Sequence, residues 1–500
     1  MRRFYTIATL LLTLLAIGAC NNKPHTLYAI SIKEDAVCTS ASQEVTISYL
    51  VHDNIMFSDT KFSATVDEAW ARVIDTSTIG EVVLEVDENE GDTRTATIKI
   101  SAPGCVSAKA QIVQFGSQPA TANHTLMFYF FGTSLNRYFE TNIKDAILAI
   151  ETGILGNSNR VLFFRQESAS KGYISELCYD IATKKCIEQR LEEVTLNDKS
   201  IITPEKIGEH IAKMADIAPA HRYGIIFAGH GQGWITREII NRDADISQYS
   251  LNADYNPWIP AIGAEVTRAF GESNVQVNID ELAEGIECSN VELDYILFDA
   301  CFMSNIEAIY DLRHSANYII ASPCEIMGKG FPYHRTLPYL FENYGAETDY
   351  VGAARSYYKY YESEYVGSSR CGSISVYKCD EIEALAEATK SVMASAKSDY
   401  DASKLQTYEG QRTHHFYDFG QWVNTVATDN TALAAFNSQM KMCIIESYTL
   451  DSFYSAYGSY GTYPIDKSVY SGVTTSAPSE AYPNGWRQTN WYKKIMALEN

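Results

Sequence analysis

The pattern of apolar and polar positions changes character twice along the chain. Arg2 and Arg3 precede an apolar run at 7–17, whose length suits the central region of an export signal and falls short of the roughly 20 residues needed to span a bilayer. Over residues 27–115 apolar and polar residues alternate, notably at 44–49, 82–86 and 93–100. A period of two predicts strands with one buried face, here a small β-sandwich. Residues 116–123 are small, polar and contain Pro119, the composition of a linker. Beyond it, short continuous apolar runs recur at 126–131, 161–164, 223–228, 295–298, 318–321 and 374–377. Helical periodicity lies between them at 141–152, 203–215 and 306–313. Runs of this kind predict a mainly parallel central sheet with helices on both faces, an α/β sandwich over 124–500.

Composition narrows the picture. Hydrophobic residues make up 46% and charged residues 20% of the 500, so the chain has material for large cores, and neither a disordered nor a fibrous protein fits. The formal net charge of −22 repels nucleic-acid phosphates and anionic lipid surfaces, which excludes nucleic acid as a partner and favours basic substrates. The apolar run ends in Leu15, Ala16, Ile17, Gly18, Ala19 and Cys20, which resembles the lipobox of bacterial lipoproteins. That resemblance implies a signal peptide over 1–19, lipid attachment at Cys20, a tether over 20–26, and a bacterial cell-envelope protein held to a membrane by its lipid. An ordinary secretory cleavage near Ala19 is the alternative, and it too takes the chain out of the cytoplasm. The other ten cysteines show no metal-knuckle spacing and read mostly as buried thiols.

Within 27–115, the turn at 87–92 is rich in acidic residues, but Gly91 is out of register for a calcium loop and no helices flank it. A hairpin turn fits better. The string from Trp70 through this turn to Gln114 resembles the BACON module of secreted bacterial hydrolases. The likeness implies an immunoglobulin-like β-sandwich acting as a spacer or touching glycan or mucin.

Candidate chemistry sits at two strand ends. In doubly covered parallel sheets ligands gather beyond the carboxyl ends of the strands. The run at 223–228 leads into Gly229, His230, Gly231, Gln232, Gly233 and Trp234, where glycines let amides approach a developing negative charge. The run at 295–298 leads into Asp299, Ala300, Cys301, Phe302, Met303 and Ser304. Helical spacing follows, so Cys301 reads as a thiol at a helix start, a position that lowers thiol pKa. A thiol and an imidazole that each end an apolar strand of one parallel sheet can face the same cleft, and together they look like a nucleophile and its base. Phosphate-loop, dinucleotide, HExxH and GxSxG signatures are all absent.

These blocks, with a third at 320–333 (Ile320 to Tyr333), resemble clostripain and the C11 cysteine peptidases of the caspase-like clan, over roughly residues 124–500. The resemblance implies a caspase-like α/β sandwich, a Cys301/His230 dyad, and cleavage of peptide bonds after Arg or Lys through a thioester. The amides of Gly231 and Cys301 are the candidates for binding the oxyanion, worth roughly 3–4 kcal/mol per donor. By the same resemblance Asp299 forms a wall of the pocket for the basic side chain, where a carboxylate repays the desolvation of a cation. For the second acidic wall that the resemblance implies, Glu325 is nearest, with Lys329 close enough to neutralise it.

Family members mature by cutting after a basic residue between the two blocks, which points to self-cleavage near Arg242, with Arg237 next. They also suggest calcium dependence, although no ligand set emerges from the sequence. His414 and His415 lack spaced partners and read as packing rather than a metal site. The tyrosines at 357–361 and 454–463 read likewise. The alternative function class is a catalytically silent peptidase scaffold serving as a glycan- or protein-binding surface lipoprotein.

Overall fold

The computed structural model describes residues 28–52, 61–196, 203–236, 264–268, 277–341, 348–479 and 481–496. The signal segment, Cys20, Arg237 and Arg242 lie outside the described residues. The chain divides into two compact units, 1–117 and 118–500.

The first unit consists of two sheets. Strands β1 (Tyr28–Ile32), β3 (Gln43–His52), β5 (Ala71–Asp75), β6 (Glu81–Val86) and β8 (Cys105–Val106) form one, in the order β5-β6-β3-β1-β8. Strands β2 (Ala36–Cys38), β4 (Ser63–Val66), β7 (Arg94–Ser101) and β9 (Ala108–Gln114) form the other, in the order β2-β9-β7-β4. The alternation read from the sequence is the alternation of burial: Val82, Leu84 and Val86 are inside with Ile98, Ile100 and Ile112, because successive side chains of a strand point to opposite faces. In the acidic turn Asp87 pairs with Arg72 at 2.6 Å. The Asn89 amide donates to the carbonyls of Asp92 and Phe115, both at 2.8 Å.

Within the second unit, residues just after the division are tied to the body. Gln118 donates to the Tyr179 carbonyl at 3.2 Å and Ala122 donates to the Pro219 carbonyl at 2.7 Å. Nine strands make the central sheet: β10 (His124–Phe130), β11 (Asn159–Gln166), β12 (Lys171–Asp180), β13 (Lys185–Thr195), β14 (Tyr223–Ala228), β15 (Leu293–Asp299), β16 (Tyr318–Ala321), β17 (Ser373–Lys378) and, after a short β18 (Tyr417–Asp418) elsewhere, β19 (Ile444–Thr449). Their order is β13-β12-β11-β10-β14-β15-β16-β17-β19. The middle five strands, β11 through β16 in that order, are mutually parallel. The two strands at each edge join antiparallel. The run at 374–377, grouped with the parallel strands from sequence, therefore runs the other way. A strand buried on both faces reads as a continuous apolar run whichever way it points.

Helices α1 (Asn136–Ile150) and α2 (Pro204–Ile217) and the helix Ile279–Cys288 bury apolar faces against the sheet. Their starts are written locally. Thr203 accepts from the Lys206 amide with Pro204 in the first turn, and Asn278 with Glu281 makes a reciprocal capping box; both satisfy amides that a helix start leaves open. The ten described cysteines are all free thiols, and eight of them are buried. Among the described residues no helix is long and apolar enough to cross a membrane.

Candidate active site

β14 and β15 are parallel neighbours with Ala228 opposite Asp299. The residues that follow each strand therefore leave one sheet edge side by side, His230 after β14 and Cys301 after β15. The two loops touch through backbone. Gly229 donates to the Asp299 carbonyl at 3.4 Å, and a Cβ on Gly231 would lie 2.3 Å from the Cys301 carbonyl oxygen. Only glycine permits that approach. The half-buried His230 ring meets the Ser134 hydroxyl, 2.9 Å from Nε2. Ser134 follows β10, the strand on the other side of β14, and nothing in its sequence neighbourhood marks it.

A short piece of the chain lies across this edge. Residues 264–268 run antiparallel to 326–328: the Gly328 amide donates to the Val266 carbonyl and the Arg268 amide to the Ile326 carbonyl, both at 2.7 Å, with Thr267 opposite Met327. The Arg268 carbonyl oxygen accepts from the amides of Gly231 at 3.0 Å and Cys301 at 3.1 Å. These are the two amides that the sequence marks for an oxyanion.

The Arg268 guanidinium enters a closed pocket. Nη1 lies 2.9 Å from Asp299 Oδ2, with both side chains 0% exposed. Nη1 also donates to the Asp299 carbonyl at 3.2 Å, Nη2 to Asn142 Oδ1 at 2.7 Å, and Nε to the Gly328 carbonyl at 3.2 Å. Asp299 Oδ2 accepts further from the Tyr333 hydroxyl at 2.6 Å and the Phe331 amide at 3.3 Å. Burial pushes the Asp299 carboxyl upward, and the guanidinium, the hydroxyl and the amide oppose it. The pocket depends on Gly330, which has φ +69° and whose added Cβ would lie 2.3 Å from Arg268 Nη2. Buried charges tolerate such a site only when fully paired; removing one partner typically costs about 3–5 kcal/mol.

Cys301 is fully buried beside this segment. Its Sγ accepts from the Ile326 amide at 2.9 Å. Burial raises the thiol well above its ordinary range, Glu325 adds to the rise, and the Ile326 amide and Arg268 oppose it. The sequence places Cys301 at a helix start, but the six-residue helix Ile306–Asp311 begins beyond a turn, with Asn305 as its cap. The expected lowering by helix partial charge is therefore corrected in this state, since desolvation outweighs it.

Glu325 does not face the guanidinium. Its Oε2 lies 2.6 Å from the Thr267 hydroxyl and its Oε1 2.7 Å from the Ser455 hydroxyl; the Ala456 amide donates to both oxygens at 3.1 Å. Burial pushes its carboxyl up to about 7. Lys329 instead sits over the Tyr365 ring at 5.2 Å. Two residues before Thr267, the Glu265 carboxylate accepts from Ser368 and Ser369 at 2.7 and 2.8 Å, and the Glu265 backbone amide donates to the Tyr454 hydroxyl at 2.7 Å. Tyr361 donates to the Gly330 carbonyl at 2.9 Å. The sequence reading treated both tyrosine stretches as packing, yet Tyr454 and Tyr361 frame the cleft.

Among the described residues no group of three His, Cys, Asp or Glu side chains converges to hold a metal ion. His414 pairs with Glu409 at 3.2 Å. Arg268, Asn142, Tyr333 and Gly330 escaped the sequence reading as parts of one pocket. Arg268 is visible only as one basic residue of a long polar stretch, and Asn142 is a polar residue on the buried face of α1.

Residues 258–472 match the model of the Clostripain family, peptidase C11, a span that includes Cys301 and begins after His230. Among solved structures, the chain is similar to a secreted C11 cysteine protease of Bacteroides thetaiotaomicron, "iotapain", with TM-score 0.64 and 29% identity over 75% of this chain and 100% of that one. It is also similar to an inactive zymogen C11 protease of Parabacteroides distasonis, with TM-score 0.60 and 29% identity over 76% of this chain and 99% of that one. A secreted C11 cysteine protease of B. thetaiotaomicron in complex with an irreversible peptide inhibitor shares the fold, with TM-score 0.61 and 24% identity over 75% and 99%. No curated protein matches the chain.

Proposed function

We propose that the chain is a clostripain-type cysteine endopeptidase that cleaves after arginine, and that the bond between Arg268 and Ala269 is its first substrate. One observation carries the reading: the chain's own Arg268 lies in the pose of a bound substrate, with its carbonyl oxygen between two amides at the thiol and its guanidinium paired with a buried carboxylate.

The chemistry follows from that pose. His230 takes the proton of Cys301 and the sulfur attacks the arginine carbonyl carbon. The carbonyl oxygen becomes an anion held by the Gly231 and Cys301 amides. Collapse breaks the C–N bond, His230 protonates the leaving amine, and a thioester remains. Water, deprotonated by His230, displaces the sulfur and releases an arginine carboxylate. Before the cut, the thiol is buried and raised in pKa with the cleft filled, so the uncut chain is self-inhibited toward other peptides. Asp299, Asn142 and the Gly328 carbonyl satisfy a guanidinium at several positions; lysine, with a point charge and no planar fork, fills fewer of them. Arginine is therefore preferred over lysine.

Export and lipid attachment at Cys20 complete the reading, supported by the run at 7–17 and the small residues before Cys20. The self-cut is assigned to Arg268, where the sequence pointed to Arg242 or Arg237, because the Arg268 carbonyl oxygen lies between the Gly231 and Cys301 amides and its guanidinium pairs with Asp299. The test is purification of wild-type and Cys301→Ala chains, followed by amino-terminal sequencing and hydrolysis of fluorogenic Arg and Lys peptides. The wild type should yield a fragment starting at Ala269 and cleave the Arg peptide faster, while the variant stays whole and inert. Equal peptide hydrolysis by both chains would remove Cys301 from the mechanism.

A further inference from the structure

One residue before the arginine, a second buried carboxyl meets the segment, and its chemistry is specific. Thr267 is buried, with its hydroxyl 2.6 Å from Glu325 Oε2. Glu325 is itself buried, and no cation is paired with it among the described residues; its other partners are the Ser455 hydroxyl and the Ala456 amide. A carboxyl in such a place needs hydrogen-bond donors at each oxygen, because a buried polar group left short of partners costs free energy that water would otherwise have supplied. Ser455 is already committed to Oε1 and the Ala456 amide is shared. The direct donor aimed at Oε2 from the substrate side is the threonine hydroxyl.

We propose that Glu325, backed by Ser455 and the Ala456 amide, is a specificity determinant that selects a β-hydroxyl residue, threonine foremost, immediately before the arginine at the cleavage site. The substrate class is then peptides carrying Thr-Arg rather than any accessible arginine. This rests on the endopeptidase reading above and adds a second side chain to what the cleft recognises. Valine has the shape of threonine without the hydroxyl, so it fills the same space and leaves Oε2 against a methyl group. A site built to bond a hydroxyl rejects such an analogue far more strongly than an apolar pocket rejects a change of one methyl. Serine keeps the hydroxyl and loses the methyl contact. Lysine would bring a cation toward Glu325, in place of the short side chain whose hydroxyl lies 2.6 Å from Oε2.

The test uses the self-processed full chain and four peptides of the form acetyl-Glu-Val-X-Arg with a fluorogenic amide, X being Thr, Ser, Val or Lys. The expected order of kcat/KM is Thr, then Ser, with Val at least tenfold below Thr. A Glu325→Leu chain, its fold checked by circular dichroism, should lose the discrimination, with Val equal to or better than Thr. If that variant does not fold, the wild-type comparison of Thr with Val decides alone. Equal rates for Thr and Val, or a preference for Lys, would overturn the inference while leaving the peptidase reading intact. Failure to cleave all four peptides, together with a control peptide lacking any constraint before Arg, would overturn the peptidase reading itself.

Discussion

At the residue scale the site is a set of buried polar groups, held largely by one another. Asp299 and Arg268 are both removed from water; Tyr333 and Phe331 donate to Asp299 Oδ2, and Asn142 and Gly328 accept from the guanidinium, while Asp299 Oδ1 is buried without a hydrogen-bond partner among the described residues. The aspartate itself was legible in the sequence as a carboxylate at a strand end. The residues completing its pocket were not, because they come from α1 and from the loop after β16, far away along the chain. Glu325 leads to a prediction about pH. Its carboxyl is pushed from 4.5 up to about 7, so the folded chain binds that proton more tightly than the unfolded chain does. The stabilising contribution is complete below about pH 4.5 and is lost as pH rises through about 7. Replacing Glu325 with Gln in a Cys301→Ala background, where Thr267 stays in place, should remove this dependence. Relative to the parent, the variant should gain on the order of 3 kcal/mol between pH 4.5 and 8, read from denaturant melts across that range. A parallel pair of pH profiles would show that Glu325 carries no such load.

At the element scale, strand type was readable where a buried strand was also continuously apolar. β14 and β15 appear as apolar runs ending in chemistry, and the structure makes them neighbours. The hairpin of β12 and β13 was missed because β12 buries the polar residues Ser175, Glu176 and Asp180 among its apolar ones, while β13 exposes one face and mixes charged residues into its alternation, so that no apolar run signals either strand. The direction of β17 was misread because direction leaves no trace in a doubly buried run. The least readable element is the segment 264–268, which holds its place by adding a strand-like edge to 326–328, a mode in which main-chain bonds supply affinity and side-chain pockets supply selectivity. If that segment is what seals the sulfur, its anchor controls access to Cys301. A His230→Ala chain, unable to cut itself, should be alkylated slowly at Cys301 by iodoacetamide. Adding Arg268→Ala should speed alkylation by about tenfold or more, since loss of the buried pair frees the segment to open locally. Intact-mass time courses would read both rates, and identical rates would show that something else covers the thiol.

At the scale of the whole molecule the chain has two separate hydrophobic cores. One lies within the two sheets of the first unit and one spans the second. Each unit buries its own apolar face, so residues 118–500 should fold and hydrolyse an Arg peptide without the first 117, with kcat/KM within about twofold of the full chain. A collapse of activity on truncation would mean that the first unit takes part in the site. Sequence by itself determined what depends on local pattern and on residue chemistry. The alternating strands of the first unit, the apolar strands of the second, and a histidine and a cysteine each following a buried strand are all written in short stretches of chain. Tertiary structure alone decided what depends on distant segments meeting: which arginine lies in the cleft, that Asn142 and Tyr333 line its pocket, that Glu325 answers a threonine, and that the thiol is covered. Local pattern records how a segment buries itself. It carries no record of which other segment it is buried against, and that partnership sets the charge, solvation and reach of every group in the site.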